Sequence, residues 1–204
     1  MSREPLTPER RRQQTRDYLL KAAAEVFADQ GFNGVSLDEV AAAAGFSKGA
    51  VYSNFTNKED LLMALLESIY EEEMQSLHSV LGDSELPPEA RLSDFVDLIW
   101  NGQPSDKGTP LYLEFCLYAK SNDDLRKRLA ELDRAYAQAI ADIIETGRLR
   151  MGVTSTESAL SVAEILLALF HGIGLLRVVD PLEVDREFVE TTLAFVARAL
   201  GVED

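Results

Sequence analysis

The chain has 204 residues, 46% of them hydrophobic, one cysteine and a formal net charge of −15. This is enough apolar content for one large core or two smaller ones, and the lone Cys116 excludes an intrachain disulfide and the secreted, disulfide-stapled class. The acidic total argues against a polyanionic partner until its distribution is read: residues 1–60 hold 8 Lys and Arg against 9 Asp and Glu, so nearly all the excess lies beyond them.

Residues 1–16, MSREPLTPERRRQQTR, carry charge but no apolar core, and they do not read as a signal peptide. Almost every later segment repeats at helical period, and no stretch alternates as a strand, so the expected class is all-α. A first helix is predicted from about Pro8 to Gln30, with Leu20, Ala23, Ala24 and Phe27 on one face and Gly31 as its stop. A short helix follows from Leu37 to Ala44. Its apolar residues fall at i, i+3, i+4 and i+7, and Ser36-x-x-Glu39 forms a capping box at its start. Gly45 ends it, and Ser47 caps a second short helix, Lys48 to Asn54.

Thr56 or Asn57 opens a long helix to about Leu81, with Glu59 and Asp60 in the first turn, where the helix dipole favours them. The segment GDSELPP, residues 82–88, is the strongest break in composition. Further helices fit about 88–101, 110–121, 123–149, 155–178 and 185–200, with Thr109-Pro110 and Thr154-x-x-Glu157 as start signals for two of them. Gly102 to Gly108 and Arg150 to Val153 read as loops. The longest apolar run, Val162 to Val179, is interrupted by Glu164, His171 and Arg177, which makes it a poor membrane span. A soluble, cytoplasmic protein is expected.

The two short helices within residues 31–62 are too short to persist alone and must pack on longer neighbours. The tight turn Ala44-Gly45-Phe46-Ser47 between them is the pattern of a helix-turn-helix, whose second helix enters the DNA major groove. Gly49 and Ala50 leave little bulk near the start of that helix. Ser47, Lys48, Tyr52, Ser53 and Asn54 supply donors, while Val51 and Phe55 face inward. Lys58 adds a charge beside free backbone N–H groups, a natural place for a phosphate.

Along this stretch the chain resembles the tetracycline-repressor (TetR) family of bacterial regulators. The resemblance rests on Gly31-Phe32, Val35-Ser36-Leu37, Val40-Ala41, Ala44-Gly45-Phe46-Ser47, Gly49, Val51-Tyr52, Phe55 and Asn57-Lys58-Glu59-x-Leu61, in register without a gap. It implies phosphate contacts from Ser36, Tyr52 and Lys58, and positions at or near base edges for Ser47, Lys48, Gly49 and Ser53. Arg10, Arg11 and Arg12 resemble the basic arm that precedes the first helix in such proteins. The expected organisation is a DNA-binding domain at 1–57 and an effector-binding and dimerisation domain of about five to six helices at 58–204.

The resemblance further implies a homodimer formed by the last two helices, a near-palindromic double-stranded operator, and a small-molecule effector that releases a repressor from it. The apolar excess of the helix from Ser155, and Phe188, Val189, Leu193, Val196, Ala197 and Leu200 on the last helix, agree with pairing. Gly172 and Gly174 would allow close approach or mark a kink. Trp100, Tyr112, Glu114, Phe115, Cys116, Tyr118, Phe170 and His171 are the candidates for an effector pocket. Each also has a plain core reading; Glu114 could pair with Arg126 or Arg177, and His171 could be a hydrogen-bonded core residue. Two histidines and one cysteine offer no metal-ligand spacing and no nucleophile–base pair, so no enzyme, metal or cofactor is expected. A helical adaptor that has lost DNA binding is the other class the acidic charge leaves open.

Overall fold

The computed structural model describes residues 7–81, 96–97, 108–152 and 154–199, and its regular structure is helical throughout. Thr7 opens α1 (Pro8–Gly34): its Oγ1 accepts the Arg10 amide at 3.3 Å, and Pro8 occupies a first-turn position where a missing N–H costs nothing. Leu19, Leu20, Ala23 and Phe27 form its buried face. Gly31 breaks the helix as expected, with φ of 74° and ψ of 161°, but the chain resumes a short helical turn to Gly34 rather than leaving the helix for good. The left-handed φ is a conformation that only glycine adopts at little cost.

α2 (Leu37–Ala43) begins at a complete capping box. Ser36 Oγ accepts the Glu39 amide at 3.3 Å, and Glu39 Oε2 accepts the Ser36 amide at 2.7 Å. Gly45, with φ of 74°, turns the chain, and Ser47 caps α3 (Lys48–Tyr52) through the Ala50 amide. α4 (Lys58–Leu81) starts where Asn57 Oδ1 accepts the Asp60 amide at 2.7 Å.

α5 (Gly108–Ala119) and α6 (Asp123–Met151) follow, the latter capped by Asn122 Oδ1 on the Leu125 amide. α7 (Ala159–Val179) does not start at Thr154-x-x-Glu157. Ser158 is its cap, through the Ser161 amide at 3.0 Å, while the Glu157 carbonyl is held in the preceding loop by Arg148 Nη1 at 2.9 Å. α8 (Arg186–Ala199) closes the described chain. The loop expected from Arg150 is shorter, because α6 continues to Met151 before Gly152 caps it. The helix expected near 88–101 lies outside the described residues apart from the helical pair Val96 and Asp97.

α1, α2 and α3 pack together as a three-helix head, with α1 also against α4 and α5; α6 runs beside α4 and α7, and α5 packs on α6 and α7. The largest buried cluster joins head and body. It holds Phe27, Phe32, Val40, Val51 and Phe55, then Leu61 to Leu66 of α4, Leu111, Phe115 and Ala119 of α5, and Leu125 and Leu129 of α6. α7 runs unbroken through both glycines; a Cβ at Gly174 would collide with Thr109 Oγ1 of α5, whereas Gly172 meets nothing. α7 is long and apolar enough, at a mean hydropathy of 2.0, to cross a membrane by composition alone, yet it packs on α5 and α6 as a bundle helix.

Candidate nucleic-acid interface and effector cluster

On α3, Val51 is fully buried and Phe55 just beyond it nearly so, which fixes the helix to its supports. The opposite face carries Ser47, Lys48, Gly49, Tyr52 and Ser53, all exposed, with Tyr52 at 55% exposure. A tyrosine left this open takes no part in the core. Lys48 Nζ is paired with Asp38 of α2, and this hydrogen bond raises the lysine's pKa. Ser53 Oγ donates to the Ala50 carbonyl at 2.9 Å and accepts from Asn54 Nδ2 at 3.4 Å.

The arginines differ from the expected arm. Arg10, Arg11 and Arg12 lie inside the first turns of α1, not in a segment before it, because the helix starts at Pro8, where the sequence placed its beginning. Arg12 Nη2 donates to the Ser53 carbonyl at 3.2 Å. One turn on, Arg16 Nη1 reaches the Asn54 carbonyl at 3.5 Å, and its guanidinium lies 4.6 Å from the centre of the Phe55 ring. Two cations therefore meet the carbonyl end of α3, where the helix dipole favours them. The i, i+4 spacing of Arg12 and Arg16 was visible in sequence; their target was not.

Ser36 is exposed, with its hydroxyl engaged in the capping box. Lys58 is turned inward: Nζ donates to the Phe32 carbonyl at 2.8 Å and stands 4.3 Å from the centre of the Phe32 ring. Phe32 is also flanked by Phe27, Phe115 and Tyr118, whose ring centres lie 4.9 to 5.7 Å away.

The expected effector residues do not gather in one place. Tyr112 and His171 come together, stacked at 4.4 Å between α5 and α7. Three of the others sit at the junction of head and body. Phe115 is fully buried, Tyr118 donates to Glu59 Oε1 at 2.6 Å, and Glu114 accepts the amides of Phe32 and Asn33 rather than an arginine. Phe170 packs on the small cluster of Val96, Ile173, Val184, Val189 and Leu193. Trp100 lies outside the described residues.

Around Tyr112 the structure adds residues that sequence reasoning missed. Asp133 of α6 accepts the hydroxyls of both Tyr70, at 3.0 Å, and Tyr112, at 2.9 Å; Glu73 accepts Tyr136 at 2.6 Å; and Tyr70 stacks on Tyr136 at 4.1 Å. Burial pushes the Glu73 carboxyl up from its ordinary range and the His171 imidazole down, which favours the neutral ring. The same desolvation raises Tyr70, Tyr112 and Tyr136 and keeps their protons on. Burial raises Cys116 too, so it is a thiol packed in the body and not an activated nucleophile. The spacing of Tyr70 with Glu73, and of Asp133 with Tyr136, puts each pair on one helix face. Nothing local shows that the two faces meet.

Residues 19–65 match the family model described as bacterial regulatory proteins, tetR family, and residues 88–201 match the one described as BetI-type transcriptional repressor, C-terminal. The chain is 25% identical over 188 residues to the HTH-type transcriptional repressor DhaR of Mycobacterium sp. (strain GP1), covering 91% of each protein. Its fold is similar to that of a TetR-family regulator from Rhodococcus sp., with a TM-score of 0.74 and 24% identity over 90% of this chain and 98% of that one. It also resembles a regulator from Saccharomonospora viridis solved in complex with choline, at a TM-score of 0.69 and 20% identity over 91% and 96% of the two chains. With a helix-turn-helix head on a helical body and both halves matched, the chain belongs to the TetR family of DNA-binding transcriptional regulators.

Proposed function

We propose that the protein is a cytoplasmic repressor that binds a near-palindromic operator as a homodimer and leaves it when a small molecule enters the body. The observation that carries the DNA-binding half is the α3 face of Ser47, Lys48, Gly49, Tyr52 and Ser53, exposed together while Arg12 and Arg16 hold the carbonyl end of the same helix. Tyr52 and Ser36 would meet phosphates, and Arg10 and Arg11, exposed at the start of α1, would extend the positive edge. One proton of the Lys58 ammonium is held by Phe32; the other two leave it able to reach a phosphate as well.

Dimerisation through α7 and α8 is supported by apolar side chains that the single chain leaves open. Ile165 is 53% exposed, Val179 76% and Phe195 66%, and Leu175, Leu176 and Val178 are also exposed. Large apolar side chains left open on both helices are what an interaction site would offer.

The effector's place is the half-buried cluster of Tyr70, Glu73, Tyr112, Asp133, Tyr136 and His171. Its two carboxylates take hydrogen bonds from tyrosines, none of the ion pairs seen among the described residues reaches either, and the same tyrosines belong to two stacked ring pairs. An organic cation complements such a surface through charge and cation–π attraction. The relative from Saccharomonospora viridis, which holds choline, is consistent with this class of ligand. The test is release of the operator-bound dimer by choline compared with its uncharged isostere 3,3-dimethylbutanol. Release by choline alone, blunted in Asp133→Asn, is the expected result. Equal release by both, or by neither, would overturn the cationic effector.

A further inference from the structure

We propose that Glu114 is the positioning residue that sets the operator-reading head on the body. The inference rests on the DNA-binding reading and is independent of the effector's chemistry. At Gly31 the hydrogen-bond ladder of α1 is interrupted, and the turn that follows presents amides with no helical carbonyl behind them. Glu114, near the middle of α5, supplies the missing acceptor. Its Oε2 accepts the Phe32 amide at 2.8 Å, and its Oε1 accepts both the Asn33 amide at 3.2 Å and the Asn33 Nδ2 at 3.1 Å.

The fit is close. A Cβ added at Gly31 would stand 3.0 Å from Oε2 and 3.2 Å from Oε1, so glycine serves here both for its φ of +74° and for the space the carboxylate fills. On the other side of the same residue, Lys58 holds the Phe32 carbonyl. Phe32 is thus gripped at its amide by the body, at its carbonyl by α4 and at its ring by Phe115 and Tyr118.

Position along the chain gives this joint its consequence. Val35, buried, and Ser36, the cap of α2, follow within four residues of Phe32, so the direction in which the chain leaves the joint fixes how α2 and α3 stand. From α5 and α6 two further polar ties among the described residues reach only the start of α4: Tyr118 meets Glu59, and Arg128 meets Asp60 at 3.3 Å. Glu114 reaches α1 itself. It is also two residues from Tyr112 on α5, so any movement of that helix is passed to the Gly31 joint without an intermediary. A charge-assisted, bidentate acceptor on two successive amides defines direction as well as distance, which a packing contact in the same place would not.

The test uses the full-length protein and a duplex selected by the wild type from a random library. Affinity for that duplex and for an unrelated one, and the melting temperature, are measured for Glu114→Ala, Glu114→Gln and a distant core variant, Ile140→Ala. Gln preserves shape and one acceptor but turns a donor pair toward an amide. The expected result is a loss of at least about tenfold in specific affinity for Glu114→Ala, where about 1.4 kcal/mol corresponds to tenfold, and a smaller loss for Glu114→Gln. Affinity for the unrelated duplex should stay within about twofold in both, because the phosphate contacts remain. Ile140→Ala should lower the melting temperature without changing the preference. If Glu114→Ala fails to fold, Glu114→Gln alone carries the comparison. Specific affinity unchanged in Glu114→Gln, parallel loss on both duplexes, or an equal loss of preference in Ile140→Ala would overturn the proposal and leave Glu114 a structural contact. A wild type that selects no duplex would instead overturn the DNA-binding reading on which it depends.

Discussion

The head and the C-terminal helices bury their apolar residues in opposite ways. In the head the core-facing side chains are consumed within the chain: Phe27, Phe32, Val40, Val51 and Phe55 are all at most 1% exposed, and the open rings are the tyrosines Tyr18 and Tyr52. In α7, by contrast, only Val162, Ala163, Ile173 and Gly174 are buried, although the helix is the more apolar of the two regions. The head completes its core with its own residues and those of α4 and α5. The end of the body leaves large apolar side chains of α7 and α8 exposed, and the proposed pairing relies on them. Reading DNA requires a head with fixed geometry; pairing requires a face that is incomplete alone.

The largest effect should come from breaking the incomplete face. Ile165→Asp combined with Phe195→Asp places carboxylates in the apolar surface, and the expected outcome is a particle of one 22.6 kDa chain by light scattering. Affinity for a two-half-site duplex should then fall by roughly a hundredfold or more, as linked binding is lost. A variant that remains a dimer would move the interface off α7 and α8.

The complete core should break differently. Phe32→Ala removes a ring at 0% exposure at the meeting point of α1, α4 and α5, and should cost about 3–5 kcal/mol in denaturant unfolding while the α7–α8 face is untouched. A loss below about 1 kcal/mol would mean the joint repacks, and the head would be less fixed than its burial suggests.

The smallest effect concerns the body's interior. Burial raises the Glu73 carboxyl above its ordinary value of 4.5, so in the window above that value the folded chain binds more protons than the unfolded one. Stability on this account falls as pH rises through the raised value. Glu73→Gln keeps an acceptor for Tyr136 and removes the charge. It should melt higher than the wild type at pH 7, with the difference closing as the pH approaches 4.5. A lower melting temperature at pH 7 would show that the carboxylate is stabilised in place.

The same contrast explains what could be read from the sequence. Features with local causes were legible: the Ser36–Glu39 capping box, the turns at Gly31 and Gly45, the inward Val51 and outward Tyr52, since each depends on residues within one or two turns. Boundaries set by competing caps were less so. Thr154-x-x-Glu157 has the right letters, but Ser158 takes the role because Arg148, from α6, fixes the Glu157 carbonyl. Pairings between distant elements were illegible. Glu114 stood out as a lone acid in an apolar run, yet its partners are backbone amides 81 and 82 residues away, which no side-chain pattern announces. Asp133 and Glu73 escaped notice for the same reason, each looking like one more charge on a long helix.

The central claim, that two such heads on one dimer read a duplex, is tested most directly by selecting bound duplexes from a random library at two salt concentrations and measuring the mass of the complex. The account predicts an enriched near-palindrome bound by two copies, with half-sites about 34–36 Å apart or a multiple of that, held less tightly at the higher salt. Failure to enrich any sequence, or a single half-site held by one copy, would contradict it.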